Sequence, residues 1–368
     1  MTDARYEYLG MPREEIDTPV LLVDLEVLEA NIAKLARHFR EAGKHLRPHT
    51  KSHKTPAIAR KQLEAGAIGI TCAKLGEAEA MADAGIRDIL VANEVVGPRK
   101  IARLMDLARR AEIMVAVDNP GNLAQLEEAA GRAGVRPRIL IEINIGHNRC
   151  GVEAGTPAAV ELAKAAARCR HLRFFGLMGY EGHVVDLEDR EAREGGAREC
   201  LQRLVDTRAA VEREGIAVEI CSASGTGDYY LSTTYTGVTE VQAGSYALMD
   251  AAYGKLGLGF GYAMTVLTTV VSRPAPDRVI TDAGLKALTP EHGMPLVKDH
   301  PELECHALSE EHGRLRTAAG TSDIPVGAVL EFIPGHGCTT VNLYDQLYAI
   351  RAGRLEAIWP VAGRGKAR

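Results

Sequence analysis

GITCAKLGEAEAMADAGIRDILVAN (69–93) holds the architecture in miniature. It opens on a short apolar run, GITCAK (69–74), and passes into GEAEAMADAG, a segment with helical spacing that stops on glycine. A second apolar run, DILVAN (88–93), follows. A strand, a helix and a strand of this length form a parallel β/α unit. The same period extends in both directions. Its other apolar runs are LRPHTK (46–51), EIMVAVD (112–118), RILIEINI (138–145), FFGLMGYEG (174–182), VEICSASG (218–225) and VTEVQAGSYAL (238–248), eight in all. Segments such as PAIARKQLEAG, PRKIARLMDLARR and PGNLAQLEEAAGRAG lie between them. Eight units close into a (β/α)8 TIM barrel. A doubly wound open sheet is the alternative, and the lack of a nucleotide-binding glycine fingerprint favours closure.

Beyond residue 262 the pattern changes. AMTVLTTVVSRPAP, DRVITDAG, AVLEFIPGH, LYAIRAG and RLEAIWPVAG are short, β-branched and separated by Pro and Gly. They read as antiparallel strands of a C-terminal all-β domain. TPVLLVDL (18–25) has no place in the barrel count and is assigned to the same domain. The expected division is therefore 26–255 for the barrel, and 1–25 plus 256–368 for the β-rich part. GKLGLGFGYA (254–263) does not match GxGxxG and reads as a linker.

The 368 residues suffice for a large barrel and a second domain. The chain is 46% hydrophobic and 25% charged, as in ordinary soluble proteins, while only 5% aromatic, so the core is aliphatic. Net charge is −5 and basic runs are short, which excludes a nucleic-acid footprint. The polar start MTDARYEYLGMPREEID has no apolar core of a signal peptide, and no apolar stretch is long enough to span a membrane. Seven scattered cysteines without a CxxC pair fit reduced thiols, and a cytoplasmic location is expected.

The C-terminal ends of barrel strands carry active sites. Here they supply His49, Lys51, Asn93, Asp118, Asn144, Arg149, Tyr180, Ser224, Thr226 and Gln242. In RPHTKSHK (47–54), Lys51 ends an apolar run. A lysine desolvated there loses its proton and can form a Schiff base with an aldehyde; a surface lysine after a strand is the plainer reading. SASGTG (222–227) and QAGSYA (242–247) follow the seventh and eighth runs, where barrels often bind phosphate. Loops that merely turn tightly would also use such residues. His336 and Cys338 in HGC are spaced to face the same side of an extended strand, as a metal-chelating pair. Sulfur with imidazole suits zinc. EEHG (310–313) adds a histidine and carboxylates whose role spacing does not reveal.

These pieces together resemble the fold-type III, alanine-racemase-like pyridoxal-phosphate (PLP) enzymes, and within them the D-threonine aldolase and D-serine dehydratase family. The resemblance covers nearly the whole chain, through RPHTKSHK, GITCAKLGEAEAMADAG, ILVANEVVGPRK, GHNRCGV, GLMGYEGH, SASGTG, VQAGSYALMD, TDAGLKALTPEHGMP, EEHG and PGHGCTTVNLYD in the family's order. It implies that Lys51 holds PLP and acts as the base near Cα. It implies that Arg149 contacts the cofactor's phenolic oxygen, and that Tyr180 lies beside the ring. Ser224, Gly225, Thr226, Gly244, Ser245 and Tyr246 should surround the phosphate. Gln242 stands where alanine racemases place an arginine at the ring nitrogen. His336 and Cys338 should hold a divalent metal at the substrate's β-hydroxyl, zinc being favoured by the Cys ligand, with manganese and magnesium as alternatives.

The implied substrate is a β-hydroxy-D-amino acid, and the implied assembly is a homodimer. Cleavage at Cα–Cβ gives glycine and an aldehyde, the aldolase outcome; loss of the α-proton and hydroxide gives a 2-oxo acid and ammonia, the dehydratase outcome. Long-range similarity favours the aldolase. Cys338 pulls the other way, since aldolases often carry Asp there and the dehydratases carry Cys. A second departure, Glu181 where aldolases tend to carry a histidine, with His183 two residues on, leaves the proton-transfer partner of the β-hydroxyl open. The rival readings are an amino-acid racemase, a non-catalytic PLP carrier and a metal-dependent hydrolase. The racemase leaves His336 and Cys338 without a task, and the carrier resembles the barrel alone.

Overall fold

The computed structural model describes residues 8–317 and 323–368; the outermost part of the expected 1–25 segment and a stretch of 256–368 lie outside the described residues. The chain divides into two compact units. One comprises Ala33–Lys51, Ile58–Gly244 and Gly365–Arg368. The other takes in the chain up to Ile32, Ser52–Ala57 and Ser245–Arg364, so GKLGLGFGYA lies wholly within it.

The first unit is the barrel. Its strands are His45–Leu46, Ile70–Cys72, Asp88–Glu94, Glu112–Val117, Arg138–Asn144, Arg173–Gly179, Ile220–Ala223 and Glu240–Val241, all paired in parallel. All eight expected runs supply one. The ring closes where the chain beyond the first strand meets the second, through a His49–Thr71 bridge and a 2.9 Å bond from Thr71 N–H to Pro48 O. Burial of both faces explains why the sequence shows continuous apolar runs rather than alternation: in Arg138–Asn144 every residue but the first is buried. Leu90, Met114, Ala116, Leu140, Met178 and Ile220 form one apolar cluster drawn from five neighbouring strands. The helices Pro98–Ala108, Pro120–Ala133 and Pro157–Ala167 each start on proline, which suits a first turn that needs no N–H partner. Among the described residues no helix is long and apolar enough to cross a membrane.

In the β-rich unit, Met264–Ala275, Arg278–Thr281, Gly313–Thr317, Leu303–Leu308, Leu296–Val297 and Val329–Ile333 pair in that order, and the last returns to the first. The result is a closed six-stranded ring. Val20–Asp24, Gln346–Arg351 and Arg354–Pro360 extend it from Met264–Ala275. The early strand thus joins the β domain, as its lack of a barrel partner implied. The segments beyond residue 262 read as antiparallel pair so with one another, while Val20–Asp24 runs parallel to Gln346–Arg351. These strands are far apart in sequence, so no hairpin dictates their direction. Ile16, Val20, Leu22, Leu267, Ile350 and Leu355 pack together across the extension.

Candidate active site

In the barrel unit Lys51 sits in a 3-10 turn, Thr50–Ser52, beyond the first strand. Glu77, fully buried in the first turn of the helix Leu75–Asp83, fixes the 3-10 turn: Thr50 Oγ1 donates to its Oε1 at 2.5 Å, and Ala73 N–H to its Oε2 at 3.3 Å. Lys51 Nζ lies 5.5 Å from the centre of the Tyr180 ring. Arg149 Cζ lies 5.6 Å from the same ring. Sequence reading named these three, and the fold brings them together. Arg149 is placed by Asn144, whose Oδ1 accepts from Gly146 and Asn148 N–H, and by Gly151, whose N–H donates to Asp118. Gly151 has φ of +99°, and a Cβ there would meet Asn144 N at 2.6 Å, so the turn requires glycine.

Two histidines complete this cluster. The His147 ring meets Tyr180 edge-on at 5.8 Å and stacks on His183 at 5.8 Å. Burial, reinforced by Arg149, His183 and Lys51, pushes the His147 imidazole below its ordinary pKa. Its buried Nδ1 has no hydrogen-bond partner. Burial also drives the Tyr180 phenol well up, helped by Asp228 and Glu181. Sequence reading missed His147, although it lies within the GHNRCGV segment and its neighbour Arg149 was named.

The SASGTG loop behaves differently from expectation. Expected to surround a phosphate, it spends two of its backbone N–H groups on side chains of the protein: Ser224 N–H donates to Glu181 Oε2 at 3.2 Å and Gly225 N–H to Asp228 Oδ1 at 3.0 Å. Ser224 Oγ also donates to Glu181 Oε1, at 2.6 Å. The reason is tertiary: Glu181, from the end of another strand, is fully buried beneath the loop. Burial, together with Asp228, holds the Glu181 carboxyl well above the usual range, and burial raises Asp228 too. Ser224 takes φ of +69°, Thr226 is buried, and Gly227 lies so close to Val185 O that no Cβ fits. Gly244, also buried, closes the barrel unit. Gln242 Nε2 donates to Ser222 Oγ at 2.9 Å.

Glu94, Glu142 and Cys150 form the one group of three potential metal-ligating residues among those described, with ligand atoms within 4.8 Å of one another. Burial and Glu94 push Glu142 up to about 8. Arg149 Nη2 stands 3.6 Å from its Oε1.

In the β-rich unit Ser245–Ala247 forms a 3-10 turn, and the fully buried Tyr246 packs on Phe260 at 5.8 Å. His336 and Cys338 are adjacent, but not on an extended strand. His336 has β geometry and caps the short helix Gly337–Val341, which contains Cys338. The cause is Asp250, whose buried Oδ2 accepts from Gly337 N–H at 2.8 Å and from His336 Nδ1 at 3.0 Å. Its Oδ1 accepts from Tyr253 N–H and so starts the helix Ala251–Gly254. Burial opposes charge on His336, but Asp250 and Cys338 outweigh it and move the imidazole up to about 10. With Nδ1 turned to a carboxylate, Nε2 is the nitrogen left for a metal. His292 lies 4.8 Å from the His336 ring.

The alanine racemase N-terminal domain family matches residues 23–252, and the putative serine dehydratase domain family matches 263–350. The chain belongs to the D-threonine aldolase and D-serine dehydratase family. It is 41% identical to a D-threonine aldolase from Arthrobacter sp, across 98% of this chain and 96% of that one. A 3-hydroxy-D-aspartate aldolase from Paracoccus denitrificans (strain Pd 1222) is 39% identical, with 97% and 94% covered. The crystal structure of a D-threonine aldolase from Filomicrobium marinum superposes with a TM-score of 0.95 at 39% identity, covering 98% of each chain. More distant relatives include a D-threo-3-hydroxyaspartate dehydratase at 30% identity over 94% of this chain and 97% of that one. Members of this family are PLP-dependent lyases, and PLP is the cofactor expected here.

Proposed function

We propose that the chain is a PLP- and metal-dependent lyase that cleaves a β-hydroxy-D-amino acid of the D-threonine type into glycine and an aldehyde. The observation that carries this reading is the meeting of Lys51 and Arg149 on the Tyr180 ring. The amine suits an aldehyde, the guanidinium a phenolic oxygen, and the phenol the face of a ring. The unpartnered Nδ1 of His147 beside them is a polar group awaiting a partner. PLP at Lys51 supplies an electron sink for the bond broken at Cα. Gln242 would meet the ring nitrogen. Thr226 and Gly244 hold the phosphate together with Ser245 and Tyr246, while Ser224 and Gly225 shape the loop through Glu181 and Asp228.

His336 and Cys338 hold the metal, oriented by Asp250. A divalent ion there supplies Lewis acidity toward the substrate's β-hydroxyl. The Glu94, Glu142 and Cys150 group is less suited, because a guanidinium already stands beside Glu142. Lys51 holds or moves the proton at Cα. His147, whose imidazolium is disfavoured by burial and by its cationic neighbours and whose ring stacks on His183, takes the β-hydroxyl proton. Similarity to aldolases at 41% and 39% identity, against 30% for the dehydratase, supports cleavage over dehydration. The observation favouring the dehydratase is Cys338 itself.

Product analysis on protein loaded with PLP and metal tests the choice. Glycine and acetaldehyde from D-threonine are expected; pyruvate from D-serine, or 2-oxobutyrate from D-threonine, would favour the dehydratase. The proposed assembly is a homodimer, which light scattering in solution checks.

A further inference from the structure

Inside the barrel a line of hydrogen bonds runs from the starts of two strands to Gln242. Arg138, the first residue of its strand, donates from Nη2 to Asp88 Oδ2 at 3.1 Å. Asp88 also opens its strand, and its Oδ1 accepts from Arg47 Nη1 at 2.5 Å. Arg47 Nε donates to Glu240 Oε2 at 2.8 Å, and Ser222 Oγ donates to Glu240 Oε1 at 2.8 Å. Gln242 Nε2 then donates to Ser222 Oγ at 2.9 Å. Arg47 is 2% exposed, and Glu240 and Ser222 are fully buried.

The direction of this line follows from counting protons. Arginine has donors only, so both carboxylates beside Arg47 must accept. As the ion-pair partner of Arg47, Glu240 offers acceptors alone. Ser222 has a single hydroxyl proton, and Glu240 takes it. What Ser222 has left is a lone pair, which only a donor can meet. Gln242 must therefore present its nitrogen to Ser222, and its carbonyl oxygen is turned the other way. The space for the guanidinium is built in: a Cβ on Gly69 would fall 2.1 Å from Arg47 Nη1.

We propose that Arg47, Glu240 and Ser222 are positioning residues that lock the Gln242 side-chain amide in one orientation, so that its carbonyl oxygen is what it offers to the cofactor's ring nitrogen. The inference rests on the PLP reading above. A carbonyl oxygen accepts a hydrogen bond, so it favours the ring nitrogen that carries a proton, and that form withdraws electrons better. The lock thus lets a neutral amide support the electron sink without a charged partner.

The test has two parts. In protein without PLP, nuclear magnetic resonance of the Gln242 side-chain amide should show a proton shielded from exchange with solvent, and Ser222→Ala should remove that shielding. In protein loaded with ring-15N PLP, the wild type should give the shift of a protonated nitrogen. Ser222→Ala should move it toward the unprotonated value and weaken PLP binding roughly fivefold, the scale of one lost hydrogen bond. Glu240→Gln lets the line run in either direction and should shift the nitrogen signal the same way, which covers the case in which Ser222→Ala folds poorly. A merely structural role would alter thermal stability and leave the ring-nitrogen signal in place. A Gln242 amide and a ring-nitrogen shift unaffected by both variants would overturn the lock. Failure of the wild type to take up PLP would instead overturn the reading on which it rests.

Discussion

Glu240, which opens one barrel strand, and Glu181, just past the end of another, are both fully buried, and they solve the same problem in opposite ways. Glu240 is met by a cation, with Arg47 Nε at 2.8 Å. Glu181 makes no ion pair among the described residues; it neighbours a second buried acid, Asp228, and is held toward its protonated form. An acid buried with a cation contributes a fixed electrostatic frame, whereas an acid buried with another acid stores a proton. The first arrangement stands beneath Gln242, where direction matters. The second stands beneath the SASGTG loop, the proposed phosphate cradle, where a further negative charge would oppose an anion.

The largest effect expected from breaking this contrast is that of Arg47→Leu. It strands Glu240 in the interior without its cation, and we expect a loss of about 3–5 kcal/mol in unfolding free energy, measured by urea denaturation. Asp250→Asn addresses a third buried acid, whose partner is an imidazole. We expect roughly 10–100-fold weaker binding of Zn2+ or Mn2+, read by calorimetry, with little change in PLP uptake.

Glu181→Gln should sharpen the comparison, because the amide imitates the protonated acid. Since burial raises the pKa of Glu181 and Asp228 in the folded chain above that in the unfolded chain, their contribution to stability is full in acid and fades as pH rises above ordinary carboxylate values. The wild type should therefore lose more urea resistance between pH 5.5 and 8 than Glu181→Gln does. An equal loss in both would show that Glu181 stores no proton. Glu142→Gln should give the smallest change of the same sign. Glu142 goes from an ordinary 4.5 to about 8, so its contribution is lost across that interval, and the variant should flatten the pH dependence there.

The sequence made the barrel legible because periodicity is local: each strand end and glycine stop shows within a short window. Lys51, Arg149 and Tyr180 were legible for a related reason, since strand ends in a barrel share one mouth. The strands Leu303–Leu308 and Gly313–Thr317 escaped, because LECHAL and GRLRT alternate buried residues with charged ones and lack long apolar runs. HGC was read as strand because nothing in its neighbourhood discloses Asp250, 86 residues earlier, which converts it to a helix start. The acids beneath SASGTG and the Arg47–Glu240 pair, 193 residues apart, are equally invisible to spacing. What a local window conceals here is which buried acid meets which donor, and that pairing decides the chemistry.

The two closed rings also bear on how the chain behaves in company. A strand with an open flank is a template onto which another chain can add itself. Closure removes that flank from the barrel and from the six-stranded ring alike. The extension ends at Arg354–Pro360, where Gly10 N–H and Met11 O both bond Leu355, and where the strand finishes on a proline. A molecule so sparing of open flanks gives misfolded neighbours little to template on, so crowding at high expression should lead it to accumulate as discrete particles rather than fibrous deposits.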